Sequence, residues 1–560
     1  MLFRIFQYLG ISFIVIFCAI SILMATSVGD LGPDSSQSFL LNYASLFEDR
    51  FYDLRMKFTI DDNKKDDRMV LAAIDDHSLN KLGRWPWTRT MHAKIVDKLG
   101  AFGAKIIAFD VFYSEPELAC NAISPDVAFI ESIKKFQATP GRKIILPYSV
   151  SAKESGNIDE ENFFKDVPDQ LLNFVLDTKQ AAGANLQPSI VEKKVYPIPD
   201  LANADTGLSH IEAEADSDGV FRHYRLISNV ESIYFPSFAL QTYQFYTGDN
   251  TTLEIPSPES GLLRTSKGVA HVDFGGETKV RWLGGLDHFP VKSIFEILNA
   301  PDNDPQMKQI FQDKIVFVAS TAFGAHDLRN TPVDSALPGV VFHMNMLHML
   351  LEGKFFVSES DSTKYSWILL IIGSLVMIGT MLLGHAILDF VIVNTIIGSF
   401  LLIDTYYFIP RGYNIRLFFC LLSAVLCYSW STFLHFYQSN KEKKKIKGTF
   451  SRYLAPSIVN DLLKNPEKVR LGGEKKNITV FFSDVRDFTS ISEKLTPEQL
   501  THCLNKYMTM MTDTLFEHQG TLDKYIGDAM VAYWGAPVDL ENHPYWAVKG
   551  AIQMIERLPA

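Results

Sequence analysis

The length and composition of the chain exclude several classes of protein. It has 560 residues, 47% hydrophobic and 21% charged, which is too apolar for a disordered protein and long enough for several domains, including membrane segments. The formal charge of −11 argues against a nucleic acid as partner. The five cysteines are scattered without a CxxC spacing, so they predict no metal site.

An apolar run opens the chain. Ile5–Ala25 follows Arg4 and is about long enough to cross a bilayer, which predicts a transmembrane helix within residues 1–26. A cleaved signal peptide is the alternative. Under either interpretation the segment that follows is sent across the membrane.

The sequence pattern of residues 27–363 predicts a large soluble domain. Helical patterns such as Arg89–Leu99 alternate there with apolar runs typical of buried strands, which predicts an α/β or α+β core. The predicted strands are Arg68–Asp75, Lys105–Phe112, Lys143–Val150 and Asp313–Ser320.

Several polar residues fall at the predicted strand ends of this domain, where open α/β sheets bind ligands. They are Asp75, Asp110, Asp216, Asp218, Asp327 and His343. The alternative is that they cap helices and turns. The sequence leaves both interpretations open and assigns no ligand.

The same domain resembles the CHASE2 family of extracytoplasmic sensors, which precede cyclases, kinases and similar output domains. The residues that carry the resemblance are Asp53-Leu54-Arg55, Ile74-Asp75 with Gly83–Trp87, Phe109–Phe112, Asp216–Arg222, Lys314–Val316, Thr331-Pro332, and Pro338–Val340 with His343. The resemblance covers nearly all of residues 27–363 and implies an α/β sensor with an unknown extracytoplasmic ligand.

Three more apolar segments, within residues 364–436, are each near the length of a membrane span. They are Tyr365–Leu383, Ala386–Phe408 and Ile415–Phe436. Asp389 and Asp404 lie near the ends of the middle segment, so we expect them at the membrane interfaces rather than in a proton relay.

A lysine cluster after the last apolar segment marks the cytoplasmic side of the membrane. It consists of Lys441, Lys443, Lys444, Lys445 and Lys447. Four transmembrane helices then place a multi-pass protein in the inner or plasma membrane, with residues 27–363 outside and the C-terminal region in the cytoplasm. Residues 437–475 form a helix-compatible connector broken by Pro456, either a coupling helix or an inert tether.

Residues 476–560 hold two aspartates in a β-α-β-β pattern. The apolar run Thr479–Ser483 predicts a buried strand that ends at Asp484, and Thr496–Leu515 has helical spacing. Two further strands meet at Gly527-Asp528, a hairpin signal. Two carboxylates at neighbouring strand ends repel each other and attract hard cations such as Mg²⁺. Two metals about 3.5–4 Å apart can clamp the oxygens of a phosphoryl displacement.

This segment resembles the first half of a class III nucleotide cyclase catalytic domain. FSDVRDFT, from Phe482, resembles the first metal-aspartate motif, and KYIGDAMVAYWG, from Lys524, resembles the hairpin that carries the second. The resemblance implies an α+β (ferredoxin-like βαβ) domain that binds two Mg²⁺ or Mn²⁺ ions per site. An ordinary Asp-Gly surface turn is the alternative for the hairpin.

The resemblance also implies the roles of individual residues. Asp484 and Asp528 are the catalytic metal ligands, with the carbonyl of Val485 as a further ligand. Phe488 and Thr489 open a helix whose amides can face phosphates. Lys524 lies where the family reads the purine, and a donor there favours adenine N1 over guanine N1. A solvated strand lysine is the alternative.

In this family the active site forms between two catalytic domains, which implies a homodimer with Lys524 contributed by the second chain. The family's catalytic domain also continues beyond the helix at His543–Leu558, so we expect a fragment of a longer protein, with a truncated, inactive cyclase as the alternative. The sequence thus predicts a multidomain membrane protein: a sensor-regulated adenylate cyclase that uses ATP. A guanylate cyclase and a nucleotide-binding regulator without turnover remain open.

Overall fold

The computed structural model describes residues 9–10, 12–16, 19–20, 39–118, 124–151, 169–187, 193–230, 232–258, 260–322, 327–381, 386–450, 459 and 475–558. It divides into two compact units, Met1–Tyr428 and Ser429–Ala560. Most of the predicted first span, Ile5–Ala25, lies outside the described residues, as does the second half of the connector.

The strands of the first unit are β1 (Met69–Ile74), β2 (Ile106–Phe109), β3 (Lys143–Ser151), β4 (Asp177–Gln180), β5 (Lys193–Val195), β6 (Gly207–His210), β7 (His223–Arg225), β8 (Ile227–Val230), β9 (Ile233–Pro236), β10 (Thr252–Ser257), β11 (Ser260–Thr265), β12 (Gly268–Asp273), β13 (Glu277–Lys279), β14 (Val291–Ser293), β15 (Ile315–Ser320), β16 (Leu328–Arg329) and β17 (Leu337–Pro338). Its helices are α1 (Phe39–Thr59), α2 (Asp76–Leu82), α3 (Arg89–Ala101), α4 (Pro125–Gln137), α5 (Pro199–Ala202), α6 (Phe238–Thr247), α7 (Ile294–Asn299), α8 (Pro305–Phe311), α9 (Gly339–Glu352), α10 (Glu359–Met381), α11 (Ala386–Ile403) and α12 (Phe418–Phe450), the last of which continues into the second unit.

A seven-stranded sheet forms the centre of the soluble domain. Its order is β14-β1-β15-β2-β3, and both β6 and β5 pair with β3. All these pairings are parallel except β3–β5. Strand β1 is buried at every position, as expected for a parallel strand covered on both faces. The four strands predicted from the sequence are β1, β2, β3 and β15, and each is confirmed.

Apolar clusters on the two faces of this sheet hold the helices. On one face Ile95 of α3 and Phe129 of α4 are buried with the side chains of alternate strand positions such as Val70. On the other, Phe238 of α6 and Leu347 of α9 pack with Leu71. The carboxyl ends of the parallel strands therefore meet at one edge of a three-layer domain.

Helix α1 connects this domain to the membrane helices through two charged residues. The carboxylate of Asp53 accepts two hydrogen bonds of 2.7 Å from the guanidinium of the fully buried Arg222. Two positions further on, Arg55 donates to Asp404 at 3.1 Å. Residues two apart point to widely separated faces of a helix. Through the Asp53-Leu54-Arg55 motif, α1 therefore contacts both the soluble domain and the membrane helices.

Three helices among the described residues are long and apolar enough to cross a membrane. The spans are Glu359–Gly379, Ile387–Arg411 and Phe418–Lys441, and they agree with the three segments predicted within residues 364–436. The predicted fourth span, Ile5–Ala25, is described only in part and stays a prediction. Asp404 begins a π-helical turn that ends the middle span, and its buried carboxylate is held by Arg55.

The catalytic segment of the second unit has the predicted β-α-β-β order. Its elements are β18 (Thr479–Ser483), α13 (Phe488–Ser492), α14 (Pro497–Glu517), β19 (Thr521–Ile526), β20 (Ala529–Trp534) and α15 (His543–Glu556). The sheet order is β18-β20-β19, and both pairings are antiparallel. Helices α14 and α15 cover one face, around the buried Trp534, Leu515 and Met554.

The prediction that β18 is a buried strand is wrong. Its burial alternates, with Val480 50% and Phe482 71% exposed. The physical reason is that helices cover only one face of the three-stranded sheet, and β18 lies at its edge, so alternate side chains face outward.

Candidate active site

Strand pairing positions the two aspartates of the catalytic segment next to each other. Ser483, the last residue of β18, lies opposite Met530 of β20. Asp484 comes directly after β18, and Asp528 precedes β20 by one residue in the turn from β19. The register therefore brings both residues to the same edge of the sheet.

The hairpin that carries Asp528 is confirmed. Gly527 has a φ of +66°, in the left-handed region that glycine adopts at little cost, and the turn joins β19 directly to β20. Asp528 is half-buried in this turn, whereas Asp484 is exposed. Both carboxylates can therefore be reached by a ligand from solvent.

Both carboxylates also act on one phenol, that of Tyr507 on α14. Burial raises the pKa of Tyr507, and the negative charges of Asp484 and Asp528 raise it further. Sequence reasoning missed this residue. The signal was present, because Tyr507 follows Leu504 by three positions and precedes Met511 by four, and so continues the apolar stripe of the helix.

The donor set at this edge fits a divalent cation. Among the described residues, neither Asp484 nor Asp528 has a hydrogen bond or an ion pair through its side chain. The carbonyl of Val485 accepts a 3.3 Å hydrogen bond from the amide of Phe488, which leaves it one lone pair for a metal. Unpaired carboxylate and carbonyl oxygens are the ligands that Mg²⁺ prefers.

The number of protein ligands is nevertheless small. Within the described part of the chain no group of three or more histidine, cysteine, aspartate or glutamate side chains could hold a metal ion. A site at Asp484 and Asp528 thus depends on two carboxylates and a backbone carbonyl, with the remaining positions left to substrate and water. Mg²⁺ commonly binds in this way, through one or two carboxylates and substrate phosphates.

Helix α13 begins at Phe488, as predicted, and is only five residues long. Asp487 precedes it with a φ of +54°. Phe488 is half-buried and Thr489 is exposed. A contact between the amides of this helix and a phosphate stays a prediction.

Lys524 lies in the exposed second half of β19, four positions before Asp528. The pairing of β19 with β20 shifts register between Leu522 and Lys524, a bulge of the kind that re-aims side chains beside active sites. The Lys524 side chain is 62% exposed, and its ammonium lies 3.5 Å from the carboxylate of Asp523. A role in reading the base stays a prediction.

Four of the six sensor residues singled out from the sequence serve the fold. Asp216 and Asp218 accept hydrogen bonds from Arg222 at 2.9 and 2.8 Å. Asp75 caps α2 by accepting from the amide of Ser78 at 2.8 Å. For these residues the capping and structural interpretation holds. His343 is also structural: it is fully buried and bonded through Nδ1 to the hydroxyl of Tyr224 at 2.7 Å.

The remaining two sensor residues, Asp110 and Asp327, lie close enough to interact electrostatically. Burial raises the pKa of Asp110 to about 7, and the charge of Asp327 adds to the shift while that of Arg329 opposes it. This edge of the sheet therefore brings two carboxylates and an arginine together after β2 and before β16.

Comparison with known proteins identifies both parts of the chain. A family model of the CHASE2 domain matches residues 22–384, well over half of the sequence. The chain belongs to the CHASE2 family. A model of the adenylate and guanylate cyclase catalytic domain matches residues 472–560. A CHASE2 domain is thus followed by cyclase catalytic sequence in one chain.

Individual relatives match a fifth of the chain or less. Adenylate cyclase 1 of Rhizobium meliloti (strain 1021) is 33% identical over 115 residues, which are 20% of this chain and 17% of that protein. The adenylyl cyclase CyaB from P. aeruginosa is 38% identical over 14% of this chain and 42% of that one, with a TM-score of 0.14. The guanylyl cyclase Cya2 is 37% identical over 15% of this chain and 43% of that one, also with a TM-score of 0.14. The chain spans less than half the length of each of these relatives, and TM-scores this low do not bear on the fold.

Proposed function

We propose that the protein is a membrane-bound adenylate cyclase that converts ATP to 3′,5′-cyclic AMP and pyrophosphate, with the CHASE2 domain as its extracytoplasmic sensor. The observation that carries the proposal is the pair of aspartates, Asp484 and Asp528, at one sheet edge without side-chain partners among the described residues. The curated relative from Rhizobium meliloti, named adenylate cyclase 1, supports the choice of product.

The reaction joins the ribose 3′-oxygen of ATP to the α-phosphorus. The bond between the α-phosphorus and the oxygen that bridges the α- and β-phosphates breaks, and pyrophosphate leaves. The proton of the 3′-hydroxyl passes to solvent or to a phosphate oxygen. Two bound Mg²⁺ or Mn²⁺ ions would supply charge stabilisation for the attacking and leaving oxygens. Asp484 and Asp528, with the carbonyl of Val485, are the groups that would hold these ions against the substrate.

The chain's own residues then have two tasks. Asp484 and Asp528 would hold the cations that bind the triphosphate, and an oriented triphosphate would keep the 3′-hydroxyl near the α-phosphorus and lower the entropic part of the barrier. Lys524, from the second chain of a homodimer, donates a hydrogen bond to adenine N1. A guanine presents a donor at the same place and would leave the ammonium unsatisfied.

Metal binding tests whether Asp484 and Asp528 form the metal site. In Asp484→Asn and Asp528→Asn, Mn²⁺ affinity is expected to fall and cyclic AMP formation by the full-length protein to drop a few hundredfold or more, because charge stabilisation worth several kcal/mol is lost. Asp513→Asn, at an exposed position of α14, is the matched control. Electron paramagnetic resonance of Mn²⁺ and a cyclic AMP assay measure the two effects. Near wild-type values in both aspartate variants would show that the assignment is wrong.

Base choice separates an adenylate from a guanylate cyclase. Lys524→Glu is expected to lower ATP turnover about ten- to a hundredfold, since a carboxylate would then face adenine N1. Lys549→Glu, at an exposed lysine of α15, is the control. The assay compares cyclic AMP and cyclic GMP formed with Mn²⁺ and each nucleotide. A wild-type preference for GTP would favour the guanylate cyclase, and nucleotide binding without either product would favour a regulator.

A further inference from the structure

A cavity of about 320 Å³ lies where the soluble domain of the first unit meets its membrane helices. The domain lines it with Arg281 and Lys354, and the segment after α1 adds Lys64. The π-helical turn at the end of the middle span lines the opposite side with Tyr406 and Pro410. The cavity therefore joins polar protein to the end of a membrane span.

The lining carries an excess of positive charge. Of the two acids in it, Glu352 is already paired with Lys354 at 3.2 Å and with Arg68 at 3.0 Å. Asp61 accepts a hydrogen bond from the amide of Asn63. Three cations, Arg281, Lys354 and Lys64, thus line the cavity with two carboxylates, one of which also pairs with Arg68 outside the lining.

Arg281 is the most buried of these cations. It is half-buried, and its guanidinium donates to the carbonyl of Pro410 at 3.2 Å. In the described ranges no carboxylate lies within ion-pair distance of it, and burial lowers its pKa. The guanidinium is therefore accessible and can pair with an anion that enters the cavity.

The cavity also lies beside the end of a candidate membrane span. The middle span, Ile387–Arg411, ends at its wall. Tyr406 is 75% and Phe58 is 74% exposed, and both line the cavity. Exposed aromatic side chains at the end of a span are typical of the membrane–water interface.

We propose that this cavity binds a phosphate-bearing anion, held by Arg281, Lys64 and Lys354. An arginine matches the geometry of phosphate oxygens with two donors, and the lysines add charge. The same chemistry is offered by an anionic lipid headgroup and by a soluble phosphate. The interfacial aromatics favour the lipid, because they would contact its glycerol and upper acyl chain.

Native mass spectrometry of the full chain, released from detergent, tests the proposal by a binding readout that does not depend on catalysis. Titration with phosphatidylglycerol is expected to give a bound lipid that phosphatidylcholine does not give. Arg281→Gln is expected to weaken this binding about tenfold, the loss of one charged hydrogen-bonding partner. Arg281→Lys should retain most of it, and Arg264→Gln, an exposed arginine of β11, should bind as wild type does.

The source of the phosphate is decided by a second arm with inorganic phosphate. If inorganic phosphate displaces the lipid only at concentrations far above that of the lipid, the result supports a headgroup site. If phosphate binds and the lipid does not, the result supports a soluble phosphate as the ligand. Lys64→Gln, at an exposed position, gives the same test if Arg281→Gln does not fold. Equal lipid binding by wild type, Arg281→Gln and Lys64→Gln, or equal binding of the two lipids without phosphate binding, would overturn the proposal.

Discussion

Removal of the Arg55 guanidinium is expected to release helix α1 from the membrane helices. Its side chain is 5% exposed and that of Asp404 is 0% exposed. Besides Asp404, it donates to the carbonyl of Ile415 and the amide oxygen of Asn414, both at 2.9 Å, and to the carbonyl of Phe51 at 3.2 Å. Three of these hydrogen bonds therefore hold α1 to the end of the middle span and the segment after it, whereas the one to Phe51 lies within α1.

The free-energy cost of Arg55→Met follows from the groups that the substitution leaves without a partner. Asp404 would remain buried as an uncompensated charge, and removal of one partner of a buried pair costs about 3–5 kcal/mol. Since about 1.4 kcal/mol is tenfold in an equilibrium, opening of α1 should become roughly a hundred- to several-thousandfold more frequent. In Arg55→Met with Asp404→Leu no charge is left unpaired, so most of the effect should disappear.

Hydrogen–deuterium exchange of the full chain in nanodiscs measures this opening directly, because protection factors of the α1 amides report its local free energy. Arg50→Met is the control on the same helix. Its side chain is 62% exposed and its closest carboxylate oxygen lies 3.5 Å away, so it should change protection little. Protection within threefold of wild type in Arg55→Met, or a double variant as open as the single one, would refute the reasoning.

Three further predictions concern topology, pH and packing. A periplasm-active reporter is expected to work when fused at Gly248 and not at Gly473, and the reverse pattern would refute an extracytoplasmic sensor. Although burial opposes it, the hydrogen bond from His348 holds the pKa of Asp66 well below its usual value, so the stability that Asp66 adds is present above about pH 4 and lost as the pH falls further. Asp66→Asn should therefore flatten the acid limb of unfolding curves, and an unchanged limb would contradict this. Gly520→Ala should destabilise the catalytic segment by about 1–3 kcal/mol in thermal melts, because its Cβ would lie 2.1 Å from a buried leucine side-chain carbon, and an unchanged melting temperature would exclude this packing.

Local patterns were enough to predict the elements that position the site. Thr521–Ile526 and Ala529–Trp534 carry β-branched and aromatic residues on either side of Gly527, so the hairpin follows from sequence alone. The exposure of Phe482 did not follow, because an apolar run looks the same in a strand covered on one face or on both. How many layers cover a strand is a property of the whole domain.

Contacts between residues that are distant in sequence could not be predicted either. Asp53 and Arg222 are 169 positions apart, and no local pattern links them. Asp218 lies only four positions before Arg222, but the irregular segment between them has no helical or strand period that would predict their contact. Tyr507 was overlooked for a related reason: its helical stripe predicts burial, while its proximity to Asp484 depends on how the helix crosses the sheet.

The contacts of α1 also restrict how a sensor signal can reach the last membrane helix. Asp53 fixes the helix to Arg222, while the carboxylate of Glu48 accepts the amide of Phe418, the first residue of α12, at 2.9 Å. Helix α12 then runs without a break to Phe450. A ligand shifts an equilibrium only by its difference in affinity for the two states, and a micromolar ligand has about 8 kcal/mol in total. Breaking the buried Asp53–Arg222 pair at about 3–5 kcal/mol and the hydrogen bond to Glu48 at about 1.5–3 kcal/mol would consume more than half of it. A signal that keeps these contacts and moves α1 and the start of α12 together requires far less free energy, so we expect the two helices to move as one body.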